Sequence, residues 1–173
     1  MLPAKTDFEA VFRALVPAEV RFIVIGGIAA ILHGTARITY DVDAVYARER
    51  ENIRRLVAAL KPFSPYLRGA PKSLPFSWDE QTVRNGLNFT LETTIGDVDL
   101  LGEVAGGGSY DDLLSHSQEG MAFGFPCRVV TLEKLIVLKR AAGRPKDLEP
   151  IAELQALLEE KRKATEAQPP SKP

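Results

Sequence analysis

A glycine pair and two aspartates are the residues of this chain best suited to chemistry. Gly26 and Gly27 follow the apolar run 20–25, and Asp41 and Asp43 come after a spacer of thirteen residues. A strand that ends in a glycine pair and opens a helix presents unpaired backbone N–H groups to an anion. Carboxylates at alternate strand positions point to the same side of a sheet. The spacing therefore predicts a site for a phosphate-bearing nucleotide with divalent metal ions.

Asp-x-Asp sequences also occur in acidic turns and in calcium-binding loops. Here Asp41 and Asp43 lie at the start of a predicted strand, and no further Asp or Asn follows them at calcium-loop spacing. A later predicted strand carries a further acidic pair, Asp97 and Asp99. The pattern therefore favours converging carboxylates on a sheet over a calcium-binding loop.

The elements that must position these residues alternate irregularly, which predicts an α/β or α+β domain whose central sheet is covered by helices mainly on one face. Apolar periodicity predicts strands at 20–25, 42–46, 87–91 and 97–101, and helices at 6–15, 28–33, 48–60, 77–85, 132–142 and 148–163. Residues 61–76 contain four prolines and no period, which predicts a loop. The run Gly106-Gly107-Gly108 lacks the Lys-Ser/Thr of a P-loop, so we expect a flexible connection there.

The length of 173 residues predicts one domain over 1–163, with a core at about 20–130 and C-terminal helices at about 131–163. The polar, proline-rich tail 164–173 is expected to be disordered. Lys plus Arg number 22 and Asp plus Glu 23, so no overall positive field attracts nucleic acid or an anionic membrane. Cys127 is the only cysteine, which excludes an internal disulfide and favours a reducing, cytoplasmic setting. No signal peptide and no membrane segment are predicted.

The segment from Ile25 to Asp43 resembles the signature of the DNA polymerase β-type nucleotidyltransferase superfamily. It is similar, more narrowly, to bacterial nucleotidyltransferase-like proteins related to AbiEii toxins. The resemblance rests on Ile25-Gly26-Gly27, Ala29-Ala30, His33-Gly34, Arg37, Thr39 and Asp41-Val42-Asp43. Residues 138–140 and 143–148 also resemble the ending of such proteins, and the similarity extends patchily over 22–154. It implies the nucleotidyltransferase fold, a central mixed sheet followed by C-terminal helices.

The resemblance implies a third carboxylate on a later strand. Asp99 is the best match because an acid stands just before a Leu-Leu pair in related proteins, while Asp97, on the same strand face, is the rival. Asp41, Asp43 and Asp99 would then be the catalytic residues and would hold two Mg²⁺ ions. Three converging carboxylates repel one another strongly unless cations join them.

The resemblance also implies an activity. Gly26 and Gly27 would bind the β- and γ-phosphates of an NTP such as ATP, and an acceptor hydroxyl, deprotonated with help from Asp99, would take the nucleoside monophosphate. The acceptor would be an RNA such as tRNA, a protein or a small molecule. The chain could be the toxin of a toxin–antitoxin pair, with an antitoxin protein or a second copy of itself as partner, but it is shorter than typical AbiEii-type toxins. A catalytically silent nucleotide- or partner-binding module is the alternative.

The remaining candidates each have two interpretations. Lys139 would either bind the triphosphate or lie solvated beside Arg140. Arg37 would either contact the phosphate or the acceptor, or neutralise the carboxylates of Asp41 and Asp43. Asp147 is expected to cap the last helix rather than to act in the site, and His33 is expected to be structural. The aromatic pair Phe76 and Trp78 is expected to fill the core rather than to stack on a base.

Overall fold

The fold is built around a seven-stranded mixed sheet, seen in a computed structural model that describes residues 5–168. The described strands are β1 (Phe22–Ile25), β2 (Asp41–Tyr46), β3 (Tyr66–Leu67), β4 (Asn88–Thr93), β5 (Gly96–Leu101), β6 (Glu103–Val104), β7 (Gly108–Ser109), β8 (Ser117–Ala122) and β9 (Phe125–Val130). The described helices are α1 (Phe8–Leu15), α2 (Gly26–His33), α3 (Arg50–Leu60), α4 (Glu80–Asn85), α5 (Tyr110–Leu114), α6 (Leu132–Ala142) and α7 (Leu148–Glu166).

The strand order in the sheet is β3-β4-β5-β2-β1-β9-β8. β2 runs parallel to β5 and β1 runs parallel to β9, while the other neighbours are antiparallel. The register places Asp41 beside Asp97 and Asp43 beside Asp99. Because side chains alternate along a strand, these four aspartates lie on one face near the middle of the sheet. The predicted α/β class, mixed central sheet and C-terminal helices are confirmed.

Helices pack directly on the face of the sheet opposite the aspartates, consistent with the predicted coverage mainly on one face. Val42 and Ala44 are fully buried on the face opposite the aspartates. On that face Phe12 of α1 contacts Phe22 of β1, with ring centres 6.0 Å apart. On the aspartate face, α6 and α7 line a cavity with the carboxylates instead of packing flat on the strands. The polar aspartates explain this, since close apolar packing over them would bury charge.

Several helix boundaries follow from local chemistry that the sequence displays. Thr131 accepts a hydrogen bond from the Lys134 N–H and caps α6, as predicted. Gly34 and Gly143 end α2 and α6 in the left-handed conformation, also as predicted. Helix α7 continues to Glu166, beyond the predicted end at 163, and residues 169–173 of the predicted disordered tail lie outside the described residues. No described helix is long and apolar enough to span a bilayer.

The structure differs from the sequence analysis in three segments between the main elements. The proline-rich stretch 61–76 contains β3, which pairs with β4 through Tyr66 and Leu67. The glycine run is not a free connection, because Gly108 belongs to the β6–β7 hairpin. The β8–β9 hairpin was missed because residues 117–122 contain no alternating apolar pattern.

Candidate active site

Three carboxylates converge at the middle of the sheet. One oxygen from each of Asp41, Asp43 and Asp99 lies within 4.8 Å of the others. All three aspartates are half-buried, since β2 and β5 place them on a face that neighbouring helices only partly cover. Asp97 stands beside Asp41 in the strand register but does not belong to this triad. Asp99, not the rival Asp97, therefore meets the first two carboxylates.

The glycine pair stands directly against this triad. Gly26 has a φ of +66°, and a Cβ atom there would overlap with the Asp43 carboxylate. A Cβ atom at Gly27 would overlap with the side chain of Thr39. Within the described residues no side chain caps the start of α2, so its first N–H groups have no side-chain partner there. Glycine at these two positions lets the start of α2 lie directly against the Asp43 carboxylate and the Thr39 side chain.

A cavity of about 490 Å³ joins the triad, the glycine pair and the C-terminal helices. Its lining mixes the charged residues Asp41, Asp43, Asp99 and Lys139, and others nearer the C-terminus, with apolar residues that include Ala30, Leu135, Leu138 and Leu154. This volume is in the range of small-molecule sites. All the sequence-predicted site residues line it: Gly26, Gly27, Arg37, Asp41, Asp43, Asp99 and Lys139.

A buried cation faces the triad from α6. The Lys139 side chain is only 14% exposed, and its Nζ lies 3.9 Å from an oxygen of Asp147. Burial lowers the pKa of Lys139, and the nearby Asp147 opposes that shift. The interpretation of Lys139 as a solvated surface residue is therefore wrong, since its ammonium is held inside the cavity.

Asp147 does not cap α7, contrary to the prediction. Its side chain makes no capping hydrogen bond and is only 5% exposed. It accepts a hydrogen bond from Nε of Arg144 at 2.7 Å and lies opposite Lys139. A buried carboxylate is stable only when paired, and the two cations supply that pairing. Asp147 thus joins the cavity as the partner of Lys139.

Arg37 lines the cavity but does not neutralise the carboxylates. Its Nε donates to Glu153 at 2.6 Å, and its Nη2 lies 3.1 Å from Glu149. Both acids belong to α7, so Arg37 ties the segment before β2 to the last helix. One of the two predicted interpretations, charge neutralisation, is therefore wrong, and phosphate or acceptor contact stays a prediction.

Arg68 is a charged residue at the triad that the sequence did not suggest. Its Nη2 donates to Asp99 at 2.7 Å, its Nε lies 3.2 Å from Asp97, and its Nη1 lies 3.8 Å from Asp41. The guanidinium reaches the carboxylates because β3 pairs with β4 and the Arg68 N–H donates to the Thr90 carbonyl. No local pattern in the proline-rich segment indicated this position, since long-range strand pairing creates it.

The electrostatics of the triad indicate a shortage of positive charge. The pKa of Asp43 is raised to about 7, first by burial and then by the neighbouring Asp41 and Asp99, although Lys139 and Arg144 oppose the shift. Burial also raises the pKa of Asp99, against the effect of Arg68. Three carboxylate oxygens this close form the donor set that hard divalent cations such as Mg²⁺ prefer. The residues present fit such an ion.

The structural interpretations of the remaining candidates hold. His33 is buried, and its Nε2 lies 2.7 Å from the Val130 carbonyl oxygen, which ties α2 to β9. Trp78 is 8% exposed, donates from Nε1 to the Val57 carbonyl and meets Phe89 edge to face. Phe76 packs edge to face on Tyr66. None of the three lines the cavity with the carboxylates.

Comparison with known proteins gives a limited result. No protein-family model matches the chain, and no curated protein matches it. Among solved structures, it is similar to a "putative nucleotidyltransferase" from Thermotoga maritima, with a TM-score of 0.49 and 17% sequence identity over 87% of this chain and 89% of that one. The predicted relation to AbiEii-type proteins is not tested by these comparisons. The functional proposal therefore rests on the residues of the site.

Proposed function

We propose that this protein is a metal-dependent nucleotidyltransferase, which moves a nucleoside monophosphate from an NTP to an acceptor hydroxyl. The observation that carries the proposal is the triad Asp41, Asp43 and Asp99 set against the uncapped glycine start of α2. A carboxylate cluster suits cations, and a helix start suits phosphate. Their direct contact suits a ligand that brings both together, a metal-bound triphosphate.

The triad would hold the metal, and we propose two Mg²⁺ ions. When bound, such ions offset negative charge on the attacking and leaving oxygens of a phosphoryl transfer. Asp43 and Asp99 are neighbours in the strand register, and Asp41 lies two residues before Asp43 on the same face. The raised pKa of Asp43 supports the proposal, because a cation would take the place of a proton there.

The phosphates would lie between α2 and α6. Gly26 and Gly27 would donate their backbone N–H groups to the terminal phosphates, as their position at the helix start allows. Lys139 lines the same cavity and would supply a fixed positive charge to the triphosphate. Arg37 would contact phosphate or acceptor at the rim once it leaves Glu149.

The transfer needs one proton acceptor. We propose that Asp99 takes the proton of the acceptor hydroxyl as that oxygen forms its bond to the α-phosphorus and the bond to pyrophosphate breaks. The raised pKa of Asp99 suits this role, because a carboxylate that holds a proton more tightly is a better base.

A transfer assay tests the proposal. Purified protein is incubated with Mg²⁺, each α-labelled NTP in turn, and tRNA, total cellular protein or small hydroxyl compounds, and both labelled product and released pyrophosphate are measured. We expect transfer that Asp43→Asn abolishes and that the matched surface variant Asp111→Asn retains. Asp111 is exposed at the start of α5 and belongs neither to the triad nor to the lining of its cavity. Mg²⁺-dependent NTP binding without any transfer would support the silent binding module instead.

The role in a toxin–antitoxin pair is a finer proposal with its own test. The chain is expressed in bacteria from an inducible promoter, and growth is followed with and without induction. We expect growth arrest that Asp43→Ala relieves, since removal of one carboxylate breaks the triad. Equal growth of the cultures that express the wild-type chain and Asp43→Ala would contradict the toxin role. The antitoxin, homodimer and cytoplasmic setting stay predictions.

A further inference from the structure

Arg68 places a permanent positive charge among the residues proposed to bind metal. Its guanidinium reaches two triad members, Asp41 and Asp99, as well as Asp97 outside the triad. It does not pair with Asp43, the third triad member, within the described residues. A divalent ion that used Asp99 would meet a carboxylate that already has one oxygen bonded to Arg68, at 2.7 Å.

We propose that Arg68 is a resident counter-ion that competes with divalent metal for Asp99 and Asp41. This inference rests on the proposed function, since it assumes that the triad binds metal. In the absence of metal, Arg68 offsets the repulsion among the aspartates. When a cation binds Asp99, the guanidinium gives up that carboxylate and stays on Asp97. Arg68 therefore weakens metal binding by the triad and limits the number of metal ions that the triad binds in the absence of nucleotide.

The surroundings of Arg68 allow such a movement without loss of the fold. Its backbone is fixed by the hydrogen bond to Thr90 and by the pairing of Leu67 with Leu91. Nη2 also donates to the Leu91 carbonyl at 2.9 Å, a bond that does not involve a carboxylate. The Arg68 side chain can therefore move while its backbone stays hydrogen-bonded to β4.

Space and a partner exist on the far side of Arg68. A second cavity of about 460 Å³ is lined by Arg68, Glu92 and Asp97, next to Thr93 and Thr94. A guanidinium displaced from Asp99 keeps Asp97 as an acidic partner there, so its charge is not left unpaired, whereas Glu92 is already paired with Lys72. This arrangement also gives a role to Asp97, which is not part of the triad. Its carboxylate retains the Arg68 guanidinium.

Metal binding measured without nucleotide tests the inference. Mn²⁺ is titrated into the full chain, and free Mn²⁺ is followed by electron paramagnetic resonance, for wild type, Arg68→Gln and the matched surface variant Arg54→Gln. Arg54 is 59% exposed and pairs with Glu51 on α3. Arg54→Gln therefore changes the net charge of the protein as much as Arg68→Gln does, but at a distance from the triad. We expect Arg68→Gln to bind Mn²⁺ about tenfold more tightly, or to bind one more ion, because a competing charge is gone. Arg54→Gln should bind as wild type does.

Equal Mn²⁺ binding by wild type and Arg68→Gln, or weaker binding by the variant, would overturn the inference while leaving the proposed function intact. No Mn²⁺ binding by any form would instead overturn the metal-dependent function on which the inference rests. The two failures are therefore distinguishable.

A second readout on the wild-type protein guards against a variant that fails to fold. The buried Nε of Arg68 makes no hydrogen bond within the described residues, so its N–H resonance reports the position of the guanidinium. The resonance is assigned by its loss in Arg68→Lys. We expect it to shift on Mg²⁺ addition, with saturation at the same concentration as metal binding. A resonance that stays in place while Mg²⁺ binds would refute displacement.

Discussion

Asp43→Asn tests the electrostatics of the triad through folding stability alone. The pKa of Asp43 is raised to about 7 in the folded protein, from an ordinary value near 3.8, because burial and two neighbouring carboxylates disfavour its charge. The folded state therefore binds this proton more tightly than the unfolded chain does. As pH rises from about 4 to about 7 the unfolded chain ionises first, so the folded state loses stability over that range.

The magnitude follows from the shift. About three pH units at about 1.4 kcal/mol each give a loss of about 4 kcal/mol at high pH. Between pH 5 and pH 8 the single-group titration predicts a loss of about 2.5 kcal/mol. The side-chain amide that Asp43→Asn introduces has no proton to lose in this range. The free energy of unfolding of Asp43→Asn, minus that of wild type, should therefore rise by that amount from pH 5 to pH 8.

Urea denaturation at pH 5, 6, 7 and 8, with EDTA present, measures this difference. The subtraction cancels groups that titrate alike in both proteins, and the exposed Asp111→Asn variant should give a flat difference. Addition of Mg²⁺ at pH 8 should stabilise wild type more than Asp43→Asn, since the ion replaces the missing positive charge. A difference between Asp43→Asn and wild type that stays flat from pH 5 to pH 8 would refute the reasoning.

Three other substitutions probe the neighbours of the triad and the core. Gly26→Ala should abolish Mn²⁺ binding, since the new Cβ overlaps with the Asp43 carboxylate. Gly124→Ala, with φ of +85° but no neighbour within 4 Å, should retain it, and equal binding by both variants would refute the steric argument. Lys139→Gln should weaken NTP binding about tenfold, measured by calorimetry, because it removes the positive charge of a side chain that is only 14% exposed in the cavity. An unchanged affinity for NTP would exclude a contact between Lys139 and the triphosphate. Asn52→Ala should lower the free energy of unfolding, measured in urea, by about 2–4 kcal/mol. The substitution removes the hydrogen bonds that the Asn52 side chain, which is 2% exposed, makes with the Arg21 and Ala47 backbone. Metal binding should be unchanged, and a loss of stability below about 1 kcal/mol would contradict the prediction.

The part of the site that lies on regular strands and helix ends was predictable from the sequence. Gly26 and Gly27 end an apolar strand, and Asp41 and Asp43 alternate on the next, so local periodicity was enough to place both pairs. Periodicity could not separate Asp97 from Asp99, because both point to one face. The strand register decides between them by placing Asp99 beside Asp43.

The charged contacts between distant segments were not predictable in this way. Arg68 follows a strand of two residues whose existence depends on pairing with β4, twenty-odd positions later. Asp147 has the sequence position of a helix cap, but the packing of α6 against it pairs the carboxylate with Lys139 and Arg144 instead. Arg37 likewise meets Glu149 and Glu153 only because α7 folds back over the cavity. Each outcome is set by tertiary packing, which overrides the local preference.

Anomalous diffraction from crystals grown with Mn²⁺ and a non-hydrolysable NTP would test the central claim most directly. The account predicts Mn²⁺ at about 2.2 Å from oxygens of Asp41, Asp43 and Asp99, a distance typical of oxygen ligands. The triphosphate should lie against the backbone of Gly26 and Gly27, at the start of α2. A nucleotide bound elsewhere, or a triad without metal while Mn²⁺ occupies another site, would contradict the proposed nucleotidyltransferase.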